Sequence, residues 1–130
     1  MTATPPYEGR HLIADLHGCT GLTDIDLIES ALRSAAAAAG ATVLDVRLHA
    51  FGEGAGVTGM ALLAESHISI HSWPEHGYAA VDIFLCGARH NPDDALATIV
   101  AALAATRVDA TTMARGYGMP IYPGAPARKA

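Results

Sequence analysis

Between Val57 and Gly87 the chain runs through three alternating stretches, "VTGMALLA", "ESHISIHSW" and "YAAVDIFLCG", with no long connection between them. A two-residue period sends neighbouring side chains to opposite faces of a strand, and connections this short join only antiparallel neighbours. The segment therefore predicts an antiparallel meander. If "PEHG" at 74–77 is a four-residue hairpin loop, Trp73 faces Tyr78. Counting back along both strands sets Ser66 opposite Leu85, with Cys86 adjacent.

The flanking segments fill out the layer. "HLIADLHGC" (11–19) predicts a first strand, and Thr23 an N-cap with Asp26 as the acidic half of a capping box. Ile25, Leu27, Ile28, Ala31, Leu32 and Ala35 form the apolar face of the helix that follows, closed by Gly40. "ATVLDVRLHAF" (41–51) predicts a half-buried strand with Val43, Asp45, Arg47 and His49 on one side and Leu44, Val46 and Leu48 on the other. The glycine-rich "GEGAG" (52–56) is a bent loop. Asn91 and Pro92 open a second helix as N-cap and first residue, Asp93 and Asp94 occupy its first turn, and it runs to about Thr106. "VDATTMA" returns as the last strand, while residues 1–9, with Pro5 and Pro6, predict a loose arm.

This order predicts an α+β two-layer sandwich: a mainly antiparallel sheet carrying both helices on one face, in a single domain, 1–130. The other face would be apolar and bare, and pairing two such sheets in a homodimer covers it. Composition agrees, because 51% hydrophobic and only 16% charged residues suit a chain that buries surface against a copy of itself.

A net charge of −5 without a Lys/Arg cluster excludes a nucleic-acid partner. No stretch approaches the roughly 20 apolar residues that cross a bilayer, and "MTATPPYEGR" lacks the features of a signal peptide. Cys19 and Cys86 have neither zinc-like spacing nor the pattern of a disulfide framework, so a cytoplasmic protein is expected.

Ser66, His71 and Cys86 are of the types that serve as nucleophile, base and acid. On strands, serine and histidine are more often solvated, and a cysteine beside Phe84 and Leu85 is more often a small buried hydrophobe. His67 and His71 match a helical metal pair, but on a strand they stand roughly 13 Å apart, and no metal is expected there. His71 lies roughly 16 Å along the strand from Ser66. Only a bend near Ser66, or the His71 of a second subunit, brings the two together.

"ESHISIHSWPEHGYAAVDIFLCG" (65–87) closely resembles the processing and catalytic region of the small prokaryotic S-adenosylmethionine decarboxylases, pyruvoyl enzymes of polyamine biosynthesis. The likeness extends through "GRHLIADLHGC", "DIDLIESALRSAAAAAGATVLDVRLHAF", "GVTG" and "RGYG" (115–118), and so covers nearly the whole chain. It implies self-cleavage between Glu65 and Ser66 into a beta chain, 1–65, and an alpha chain, 66–130. Ser66 would become a pyruvoyl group that holds the substrate as a Schiff base. By the same likeness His71 is the processing base, Cys86 the proton donor, and Thr58 the helper hydroxyl, where relatives usually carry serine. Phe51, Ile68, Trp73 and Glu75 correspond to substrate-binding positions, the two aromatics against the adenine and sulfonium, Glu75 on the ribose hydroxyls. The loop after Phe51 departs from the pattern: it lacks the usual Pro and Gln and is one residue longer.

The implied function is decarboxylation of S-adenosylmethionine to the aminopropyl donor for spermidine. Two other readings fit part of the pattern: a pyruvoyl decarboxylase of ornithine, arginine or a similar amino acid, and a non-catalytic dimeric relative that binds a nucleoside or a partner enzyme.

Overall fold

A computed structural model describes residues 8–87, 89–116 and 121. The expected arm, except Glu8 and Gly9, and the end of "RGYG" lie outside these residues. The elements are β1 (Gly9–His17), α1 (Ile25–Ala38), β2 (Val43–Ala50), β3 (Val57–Leu63), β4 (Ser66–Trp73), β5 (Tyr78–Cys86), α2 (Pro92–Leu103) and β6 (Arg107–Arg115). The strands form one six-stranded sheet in the order β2-β3-β4-β5-β1-β6. Every neighbouring pair is antiparallel. The α+β layer and the meander are as the alternation requires.

The helix caps follow local chemistry. Asp24, not Thr23, caps α1: its carboxylate accepts from the Leu27 N–H at 3.1 Å, and Asp26 is simply an acidic first-turn residue. The reason lies in the preceding turn, where the Asp24 N–H donates to the Gly21 carbonyl and leaves Asp24 extended at the helix mouth. Gly40, at φ 80°, takes the left-handed position that ends this helix without a Cβ penalty. In α2, Asn91 caps as expected, but the helix stops at Leu103, short of Thr106. Ala104 turns left-handed, and the Thr106 N–H donates to the His17 carbonyl, which draws the chain into β6.

One face of the sheet packs on both helices. Leu12 and Leu16 of β1, Ile68 and Ile70 of β4, and Ile83 and Leu85 of β5 meet Ile28 and Leu32 of α1 and Ile99 and Leu103 of α2, all fully buried. Each such side chain contributes roughly 1.5–3 kcal/mol of transfer free energy. β2 departs from the simple alternation. Its register shifts between Val43 and Asp45, so Val43 joins Val46 and Leu48 against the core while Leu44 is 62% exposed. A bulge of this kind moves one side chain to the opposite face.

The other face is bare, but it is not apolar. Ile13, Met60 and Leu62 are exposed there, interspersed with His11, Asp15, His67, Ser69, His71 and Asp82. At the sheet end the "GEGAG" loop bends tightly because Gly56 lies against β4; a Cβ there would stand 2.0 Å from the Ser72 carbonyl oxygen.

Candidate active site

The β3–β4 hairpin pairs Leu63 with Ser66, leaving Ala64 and Glu65 as its two-residue turn. Glu65 is held at φ 62°, a left-handed conformation that stores of order 1–3 kcal/mol in a residue with a side chain. Ser66 is buried, and its hydroxyl oxygen accepts from the Cys86 N–H at 3.2 Å. The Cys86 thiol donates to the Glu65 carbonyl oxygen at 3.1 Å. Cys86 thus touches both residues that flank one peptide bond. The neighbourhood read from the hairpin count is present, set by the Trp73–Tyr78 register.

His71 is elsewhere. It lies exposed on the bare face, its Nδ1 3.2 Å from the Thr58 hydroxyl and its ring centroid 6.4 Å from that of Trp73. From Ser66 to Trp73, β4 pairs with β3 and β5 without a register shift, so no bend shortens the roughly 16 Å to Ser66. An interval of five residues also points the two side chains to opposite faces.

Trp73 stacks on Tyr78 at 5.1 Å, and the Tyr78 hydroxyl donates to Asp15 at 2.6 Å. That hydrogen bond, to a carboxylate that penalises a second negative charge, pushes the Tyr78 phenol up. Phe51 is 64% exposed, its ring edge-on to His49 at 4.7 Å, and Glu75 is exposed in a short 3-10 helix, Pro74–His76, where the sequence predicts a plain hairpin loop. The Ile68 side chain is fully buried among the core residues on the helix side of the sheet.

A second polar group escaped the sequence reading. Asp82 Oδ2 lies 2.6 Å from His11 Nε2 and 2.9 Å from His67 Nε2, and Oδ1 accepts from the Ser69 hydroxyl. Burial alone would push the Asp82 carboxyl up, but the bonds from Ser69, His11 and His67 outweigh it and hold the group below its ordinary value. Part of this was within reach, since the count that opposes Trp73 and Tyr78 also opposes Ser69 and Asp82. His11 was not, because it arrives from a distant strand.

The family model described as S-adenosylmethionine decarboxylase matches residues 10–116. A protein of Thermomicrobium roseum named S-adenosylmethionine decarboxylase proenzyme is 42% identical over 108 residues, covering 83% of this chain and 93% of that one. One of Caldanaerobacter subterraneus, under the same name, is 44% identical over 110 residues, covering 83% and 88%. The crystal structure of the adenosylmethionine decarboxylase from Aquifex aeolicus superposes with a TM-score of 0.74 at 33% identity, covering 91% of this chain and 95% of that one. Both the hairpin that carries Glu65 and Ser66 and the strand that carries Cys86 fall inside the matched span. The chain belongs to the S-adenosylmethionine decarboxylase family.

Proposed function

We propose that this chain is a proenzyme that cuts itself between Glu65 and Ser66 and then decarboxylates S-adenosylmethionine, using a pyruvoyl group made from Ser66. The observation that carries the reading is the placement of Cys86 across that bond, with its N–H on the Ser66 hydroxyl and its thiol on the Glu65 carbonyl. The names of the relatives, proenzyme and decarboxylase, agree with it.

The residues fit the making of such a group. The Ser66 hydroxyl attacks the Glu65 carbonyl carbon; the C–N bond breaks, the nitrogen takes the hydroxyl's proton, and an ester replaces the peptide bond. A thiol donating to the carbonyl oxygen stabilises the charge that builds there. The left-handed Glu65 is strain that the cut releases. A base then removes the Ser66 Cα proton, the Cβ–O bond breaks, Glu65 leaves as a free carboxylate, and hydrolysis of the remaining dehydroalanine leaves a ketone and ammonia. Serine suits both steps, because its oxygen attacks and then leaves.

The ketone supplies an electrophile for the substrate's α-amine and a sink for the electrons that loss of CO₂ leaves behind. Cys86, beside residue 66, returns a proton to carbon, a role its contacts with Glu65 and Ser66 support. Trp73, stacked on Tyr78, and exposed Phe51 offer aromatic faces suited to a purine and an onium centre.

His71 enters as the processing base through a second copy of the chain. In one copy it is on the wrong face and roughly 16 Å away, with no bend to bring it closer. Packed on the bare face, a second copy supplies its His71–Thr58 pair to the end of β4, where the group to be reached is the Ser66 Cα proton and not its side chain. A homodimer of cut protomers is therefore the active unit.

Intact-mass measurement after incubation tests the reading. Cleavage into 1–65 and 66–130, with a ketone in place of the Ser66 amine, is expected; Ser66→Ala should abolish the cut. CO₂ release should favour S-adenosylmethionine over ornithine and arginine. A wild-type chain that stays whole, or a preference for either amino acid, overturns it.

A further inference from the structure

A cut before Ser66 puts the reacting group on the first residue of a new chain, and chain ends fray unless they are tied down. Once residue 66 carries a ketone where its amide nitrogen was, it has no N–H to give to the sheet. The hydroxyl that accepts from Cys86 is gone as well. The next point of attachment is His67.

His67 is unusually well held for a strand end. Its backbone lies between Leu62 and Phe84, and its Nε2 reaches Asp82 at 2.9 Å. Asp82 is itself fixed by His11 and Ser69. Beyond His11 stands Arg115, with Nη1 3.3 Å from His11 Nδ1 and its guanidinium 5.3 Å over the Phe84 ring. A guanidinium only donates, so His11 Nδ1 is the acceptor and the proton of the neutral ring sits on Nε2, facing Asp82. Every bond in the series then has a direction: Arg115 donates to His11, and His11 and His67 both donate to Asp82.

The ligand atoms of His11, His67 and Asp82 lie within 4.8 Å of one another, a spacing a metal ion would accept. Metal on His11 Nε2 would require the ring proton on Nδ1, pointed at another donor. The protons, not a metal, satisfy this cluster.

We propose that His67, clamped through Asp82 by His11 and Arg115, is a positioning residue that holds the ketone-bearing end of the alpha chain against Cys86. The inference rests on the self-cleavage reading. Its test compares wild type, His67→Ala, His67→Gln and Asp82→Asn after mass measurement has confirmed the cut and the ketone in each. Amide hydrogen exchange over residues 67–70 should be about tenfold faster in His67→Ala and in Asp82→Asn, with α1 unchanged. His67→Gln keeps an N–H donor and should recover most of the protection. In the same preparations kcat should fall about tenfold for His67→Ala with little change in KM, as expected when the reacting group is displaced and substrate contacts remain. Should His67→Ala fail to fold, Asp82→Asn and the glutamine variant decide the matter. Unaltered exchange in the cut alanine or asparagine variant overturns the clamp alone; a wild type that never cuts overturns the cleavage reading and the clamp together.

Discussion

Cys86 occupies the narrowest point of the proposed chemistry, because one side chain faces the carbonyl to be attacked while its own N–H steadies the attacking oxygen. Removing a hydrogen bond to a developing oxyanion slows such steps about 10²–10³-fold. Cys86→Ala should slow cutting by about that factor in a time course read by mass. Cys86→Ser keeps an O–H donor and should still cut, but its far less acidic hydroxyl should impair turnover. Asp82 gives the pH arm. Its folded pKa is depressed, so its contribution to stability is fully present above the unfolded value of about 4 and is lost as pH falls through the folded value. Asp82→Asn should lower stability by about 1–3 kcal/mol at pH 7, and the gap to wild type should narrow as pH falls below the unfolded value of about 4 in urea denaturation. At this scale the Ser66–Cys86 neighbourhood was legible, since one hairpin count fixes it. His11 was not, because a strand's own alternation gives its face but not its neighbour.

At the scale of elements, alternation and capping chemistry located the six strands and two α-helices of the described residues, and they failed where a single residue decides between adjacent positions. Thr23 and Asp24 both suit an N-cap; the turn from Gly21 to Asp24 selects the second. Asp24→Ala should therefore lower stability by about 1 kcal/mol and Thr23→Ala by far less, measured by urea unfolding in the Ser66→Ala background so that the chain stays whole. Leu44 is the other case. Strict alternation sends it inward, but the bulge beside it turns it out and brings Val43 in. A bulge is a property of two paired strands, so the sequence of β2 alone does not show it.

For the whole molecule, the bare sheet face is the largest departure from expectation: apolar residues share it with histidines and aspartates, several already paired. A dimer through this face should appear in light scattering at micromolar concentration, and Leu62→Asp, on that face and 50% exposed, should weaken it. On the self-cleavage reading, the strand order β2-β3-β4-β5-β1-β6 carries a further consequence once the bond before Ser66 is cut. The alpha chain keeps β4, β5 and β6, and β1 of the beta chain threads between its last two strands in the sheet. The two products are woven together, so neither leaves without unfolding the other. Refolding the cut protein becomes a bimolecular search for a slot that the intact chain fills as it folds, and recovery from urea should rise with protein concentration. The uncut Ser66→Ala chain should assemble its protomer fold at a rate independent of dilution. On that reading folding first and cutting second is the faster order of events.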